Sequence, residues 1–167
     1  MPPIVSIVGR SDSGKTTFLE KLIPALKTRG LRVAVVKHDS HGFEMDRPGK
    51  DTWRLRQAGA DAVMISAPHQ MALIRGGLDR EATLDELAAL VSGQVDLVLT
   101  EGYKSGDKPK IEVSRAEISG GELLCTEEEL LAVVADGHRS VDVPQFDLED
   151  AAGVADLLVS YVRRVRT

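Results

Sequence analysis

Apolar residues fall along this chain in short blocks whose spacing changes from one segment to the next. The first block, Ile4-Val5-Ser6-Ile7-Val8, is β-branched and apolar on both faces, as expected of a strand buried inside a parallel sheet. Phe18, Leu19, Leu22, Ile23 and Leu26 then recur at helical spacing up to Gly30, a glycine placed to stop a helix. Pro24 lies inside that helix. It removes one backbone donor and crowds the carbonyl of Glu20, so a bend is expected there. Residues 32–37 (Arg-Val-Ala-Val-Val-Lys) read as a second buried strand, and strand, helix, strand in that order calls for a right-handed crossover.

Periodicity then stops. Residues 38–50 form a polar, glycine-containing stretch, and a loop of that length inside a compact domain is usually functional or mobile. Asp51 caps a short predicted helix through Gln57, closed by Gly59, and residues 62–66 and 71–75 predict a hairpin around 67–70. Thr83, with Glu86 three residues on, caps a predicted helix reaching Val91. Strands are predicted over 95–100, 110–114 and 131–135. The chain closes in an amphipathic helix with Val154, Leu158, Tyr161, Val162 and Val165 on one face. Asp147 and Asp150 flank its start, and Arg163, Arg164 and Arg166 suit its negative end. The pattern predicts one α/β domain over 1–167, with a mainly parallel sheet flanked by helices in three layers, Rossmann-like, and a β-hairpin insertion.

Composition narrows the reading. At 167 residues with 43% hydrophobic positions, the chain is long enough to build a real core. The formal net charge of -5 argues against a nucleic-acid backbone as main partner. A single cysteine, Cys125, excludes an internal disulfide framework and a cysteine zinc cage; placed in an acidic segment that reads as helical, with no base partner in view, it reads as inert. The start carries no signal-peptide pattern, and no apolar run approaches the roughly 20 residues of a membrane span. A soluble cytoplasmic protein is expected.

Gly9-Arg10-Ser11-Asp12-Ser13-Gly14-Lys15-Thr16 fits the phosphate-binding pattern G-x-x-x-x-G-K-[ST] and lies between a predicted strand and a predicted helix. Glycines let the backbone curl so that N–H groups face phosphate oxygens, and the helix start adds its positive end. Lys15 is expected on the β and γ phosphates, and the Thr16 hydroxyl on Mg²⁺. Glu101 ends an apolar strand and is the candidate carboxylate on the metal side. In the loop after the second strand, Asp39 is the candidate for orienting water, while Lys37, Arg47 and Lys50 suit an anion. His38 and His41 form an alternative metal pair, for zinc or nickel, at a spacing that is weak evidence by itself.

Taken together these segments resemble the family of molybdopterin-guanine dinucleotide biosynthesis protein B (MobB). The carrying residues are the loop from Gly9 to Thr17, Lys37-His38-Asp39-x-His41, Asp46-x-Pro48-Gly49-Lys50-Asp51-Thr52, Arg56-x-Ala58-Gly59-Ala60, Glu101-Gly102-Tyr103-Lys104 and Pro109-Lys110-Ile111-Glu112. The resemblance implies a P-loop, GTP-binding accessory protein with weak hydrolysis, assisting the guanylyltransferase that joins GMP to molybdopterin. By matching position it implies phosphate and Mg²⁺ contacts for Gly9, Ser11, Asp12, Ser13, Gly14, Lys15, Thr16 and Thr17, a metal-side carboxylate in Glu101, and a switch position in Asp39. It also implies a homodimer, for which the hairpin is the expected interface, and it makes molybdopterin itself a candidate ligand.

No Asn-Lys-x-Asp guanine motif is present, so the residues alone do not choose between GTP and ATP. Asp136, at the end of the last predicted strand, suits either the N1 and N2 donors of guanine or a simple turn. By resemblance to dimeric NTPases with a lysine at this second P-loop position, Arg10 is expected either to reach across to a partner's phosphates or simply to face solvent. Two other functions fit the P-loop: a small-molecule kinase, and a GTP-driven metallochaperone resting on His38 and His41.

Overall fold

The computed structural model describes residues 1–166. These form two compact units, one made of Met1–His38 and the chain from Leu84 onward, the other of Asp39–Thr83.

The larger unit is built on a six-stranded sheet, in which every pairing is parallel, ordered β2-β5-β1-β6-β7-β8. Its strands are β1 (Ile4–Val8), β2 (Val33–Lys37), β5 (Leu97–Glu101), β6 (Lys110–Ser114), β7 (Leu130–Ala135) and β8 (Gln145–Asp147). Alternate strand residues point to opposite faces. Val5, Ile7, Leu97, Leu99, Ile111, Val113, Ala132 and Val134 meet helices α1 (Lys15–Thr28) and α5 (Ala151–Arg166) in the main core. Ile4 and Val98 meet Leu84 and Ala88 of α3 (Leu84–Leu90) on the other face. A sheet covered on both faces explains why its central strands are unbroken apolar runs.

The second predicted strand differs from expectation. β2 is an edge strand, only partly buried, with Val35 exposed, because β5 lies between it and β1. Two elements have no counterpart in the sequence pattern, the four-residue helix α4 (Ala116–Ser119) and β8, and the acidic segment that reads as helical forms only a 3-10 turn over Glu127–Glu129. Cys125 precedes that turn rather than lying in a helix. Its half-burial and the nearby Glu112 push the thiol up to about 12, so it stays protonated at neutral pH.

The smaller unit contains the loop after β2, helix α2 (Asp51–Gln57) and the antiparallel hairpin of β3 (Ala62–Ala67) and β4 (Gln70–Arg75). Met64 pairs with Leu73, and Ser66 with Met71, so Met64, Met71 and Leu73 share one face of the ribbon. All three side chains are exposed, whereas Val63 on the opposite face is buried.

Candidate nucleotide site

The P-loop leaves the carboxyl end of β1, the central strand, where open parallel sheets place their ligands. Gly9 is required by close approach: a Cβ there would stand 2.3 Å from the Val113 carbonyl oxygen of β6. Asp12 sits in the left-handed region at φ 62°, and Gly14, also left-handed, is the N-cap of α1. Phe18 N–H donates to Gly14 O at 2.8 Å and starts the helix. The loop is thus a tight curl held between two sheet strands and a helix start.

Lys15 Nζ folds back over this curl, donating to Gly9 O at 3.2 Å and Arg10 O at 2.7 Å. Burial lowers its pKa below the ordinary lysine value, against the opposing pull of Glu101 and Asp12. Ser13 is buried, and its Oγ has no hydrogen-bond partner among the described residues. A buried hydroxyl without a partner is costly. An anion inside the loop would relieve it.

Parallel pairing sets Ile7 beside Glu101, bringing the end of β5 next to the P-loop. The Thr16 hydroxyl donates to Glu101 Oε1 at 2.8 Å, and Lys37 Nζ lies 3.4 Å from the same oxygen. Two oxygen donors, one anionic, beside a phosphate cradle match the chemistry of a hard divalent cation such as Mg²⁺. The residues therefore fit both a nucleotide phosphate chain and its metal. Ser11, Asp12, Thr16 and Thr17 are exposed at the mouth of the loop. Arg10 Nη2 lies 3.8 Å from Glu122 Oε2, with both side chains largely solvated.

On the opposite side of β1, the end of β6 contributes a residue that pattern reading passes over. Arg115 Nε donates to Ser13 O at 3.2 Å, and its guanidinium lies 3.3 to 3.8 Å from where a Cβ on Gly14 would stand. Asp136, at the end of β7, accepts the Ala116 N–H at 3.0 Å on both oxygens and Arg139 Nη2 at 2.9 Å. The Arg139 hydrogen bond, then the Ala116 N–H, hold that carboxyl below the usual aspartate range. Arg139 is buried and also donates to Ser114 O and Gly137 O, tying the ends of β6 and β7 together. Sequence spacing conceals this cluster because strand order is what makes β6 the neighbour of β1. The only advance signal is a basic residue directly after an apolar strand.

Asp39 begins the smaller unit, where its Oδ1 accepts the His41 N–H at 2.9 Å in a local turn. Asp46 there accepts the Arg47 N–H and the Thr52 hydroxyl, at 2.9 and 3.0 Å. Among the described residues, no three His, Cys, Asp or Glu side chains converge as a metal cage.

Comparison with known proteins agrees with this geometry. A family profile described as molybdopterin guanine dinucleotide synthesis protein B matches residues 4–136. The chain is 35% identical over 167 residues to the molybdopterin-guanine dinucleotide biosynthesis adapter protein of Escherichia coli, covering 98% of this chain and 95% of that one. It is 36% identical over 161 residues to the adapter protein of the same description from Haemophilus influenzae, covering 96% and 89%. A solved structure described as molybdopterin-guanine biosynthesis protein B superposes with a TM-score of 0.72 at 33% identity, covering 96% of this chain and 99% of that one. The crystal structure of Bacillus subtilis MobB gives 0.74 at 29% identity, covering 95% and 96%. With the family profile running through residues 4–136 and 35% identity to an adapter protein over almost its whole length, the chain belongs to the molybdopterin guanine dinucleotide synthesis protein B family.

Proposed function

We propose that this chain is a Mg·GTP-binding adapter in molybdopterin guanine dinucleotide synthesis, assisting the guanylyltransferase and hydrolysing GTP slowly. One observation carries the reading: Lys15 and Thr16 stand together at the head of α1, with the Thr16 hydroxyl on Glu101 at 2.8 Å. Gly9, Ser11, Asp12, Ser13, Gly14 and Thr17 complete the phosphate cradle in this account. Lys15 exchanges the Gly9 and Arg10 carbonyls for phosphate oxygens, and Thr16 and Glu101 hold the metal. Bound Mg²⁺ would supply charge neutralisation at the phosphate oxygens. Asp39 orients water, and a single weak positioning group suits slow hydrolysis.

The two compact units are read as one functional domain, because the family profile runs through both. Exposed Met64, Met71 and Leu73, aligned on one ribbon face, support a homodimer through the hairpin. No helix among the described residues is long and apolar enough to cross a membrane, and the proposed site of action is the cytoplasm. Molybdopterin remains a proposed ligand of the assembled complex rather than of the P-loop.

Reconstitution tests the adapter role. Purified guanylyltransferase, molybdopterin and Mg·GTP are combined with this chain or with its Lys15→Ala variant. The unmodified chain is expected to raise the yield of the guanine dinucleotide, and the variant to lose that effect. Equal yields with the chain, with the variant and without either would overturn the reading.

A further inference from the structure

The metal side of the P-loop is accounted for by Glu101, on β5. The other side, at the ends of β6 and β7, holds Arg115 beside the P-loop, Glu117 two residues on, and the Asp136–Arg139 pair that ties the strand ends together. A nucleotide with its phosphates in the loop and its metal toward β5 leaves the β6 side for the nucleoside. The chemistry of a guanine base sets two demands there. Its flat face needs a planar or apolar surface, and its N1–H and N2–H₂ donors need a carboxylate.

Arg115 meets the first demand. Its guanidinium is planar and pinned to the P-loop by the Ser13 carbonyl at 3.2 Å, alongside Gly14. Guanidinium planes stack on aromatic rings. The second demand has two candidates. Asp136 is already engaged, both oxygens accepting the Ala116 N–H and one also accepting Arg139. Glu117, two residues beyond Arg115 on the first turn of α4, is exposed and makes no hydrogen bond or ion pair among the described residues. The order in Arg115-Ala116-Glu117, basic, any, acidic, also reproduces the Lys-x-Asp half of the guanine motif that the chain lacks.

We propose that Arg115 carries the face of the bound guanine, that Glu117 accepts its N1 and N2 protons, and that Asp136 is a positioning residue that fixes Ala116 and hence the turn bearing both. This assignment rests on the nucleotide-binding reading above and adds to it the source of base selectivity. Adenine presents an acceptor at N1, which a carboxylate repels, so the same glutamate excludes ATP. Arg139, buried and bonded across Ser114, Gly137 and Asp136, holds the two strand ends in register.

The full chain is titrated by calorimetry with the Mg²⁺ complexes of GTPγS, ATPγS and the xanthosine analogue XTPγS, as the unmodified protein and as Glu117→Gln and Asp136→Asn. Xanthine carries a carbonyl at C2 in place of the amino group, so an amide that donates there suits it. Glu117→Gln is expected to weaken guanosine binding at least about tenfold, the factor that one lost hydrogen bond to a charged group represents, and to strengthen xanthosine binding. Asp136→Asn is expected to weaken all three nucleotides by a similar factor, without that switch. An unchanged guanosine preference in Glu117→Gln, or the xanthosine switch appearing in Asp136→Asn instead, would overturn the assignment. Failure of the unmodified chain to bind any of the three removes the nucleotide reading itself, and this inference with it.

Discussion

The two units of this chain treat apolar residues in opposite ways. In the larger one, Val5, Ile7, Leu22, Leu26, Leu97, Leu99, Ile111 and Leu158 are completely buried. In the smaller one, Val63 alone joins the buried apolar set, while Met64, Ile65, Met71 and Leu73 stand exposed on a two-stranded ribbon. An isolated hairpin is marginal in water. The contrast separates two uses of hydrophobic surface: one unit buries it beneath the P-loop, and the other leaves it exposed on the ribbon where the proposed homodimer would form.

The largest expected effect tests the rigid unit. Gly9→Ala places a methyl group 2.3 Å from the Val113 carbonyl oxygen and 2.7 Å from Ser13 Oγ, clashes that a shift of β6 or of the P-loop itself must relieve. It is expected to abolish Mg·GTPγS binding and to destabilise the chain by about 3 kcal/mol or more, as strained buried positions do. An unaltered urea midpoint and normal binding would show that the loop is not held as described.

Next in size is a matched pair of truncations. Leu22→Ala in the core is expected to cost about 3 kcal/mol in urea unfolding. Leu73→Ala on the ribbon should cost under about 1 kcal/mol at protein concentrations where the chain is monomeric. Leu73→Asp should leave that stability similar but shift sedimentation toward the monomer. Equal costs at Leu22 and Leu73 would erase the contrast between the units.

That contrast was only half legible in the amino-acid pattern. β1, β3, β4, β6 and α2 lie within a residue of where the pattern predicts them, because turn residues bound each one. The expected Asp51 cap is not formed, since Asp51 is the first residue of α2 and Lys50 stands at its N-cap without a side-chain cap hydrogen bond. Position in the sheet is another matter. The 32–37 strand reads as buried, since Val33, Ala34, Val35 and Val36 are all apolar, yet β2 lies at the edge. Periodicity reports which side chains avoid water but not which strand becomes whose neighbour. The same gap concealed β8, only three residues long, and α4, which owes its start to a carboxylate twenty residues away at Asp136.

The candidate site follows that division. Lys15 and Thr16 were legible because the phosphate cradle is contiguous in sequence. Glu101 could be placed because a strand-terminal carboxylate has one obvious destination in a parallel sheet, and pairing with Ile7 puts it there. Arg115 and Arg139 could not, since their roles exist only through the β1-β6-β7 order. Residues acting through long-range strand pairing leave almost no local trace.

A smaller effect concerns pH. Asp96 accepts hydrogen bonds from Arg32 and Arg166, and the Arg32 side chain first of all drives its carboxyl far below the usual aspartate range. A depressed folded-state pKa means that the unfolded chain takes up the proton first. The contribution is therefore complete above the ordinary aspartate value of about 3.9 and drains away as pH falls toward the folded-state value. Asp96→Asn is expected to be less stable than the unmodified chain at pH 7, with the gap closing below about pH 4. A gap that persists unchanged at pH 2 would mean that the Arg32–Asp96–Arg166 contacts do not set the acid sensitivity of this unit.

The most direct test of the central claim is calorimetric titration of the unmodified chain with Mg·GTPγS and, separately, Mg·ATPγS, each repeated with Lys15→Ala. Saturable binding that favours the guanine compound and disappears in the variant is the predicted result. Binding equal for the two nucleotides, or retained without Lys15, would contradict the account of this P-loop as a guanine-nucleotide site.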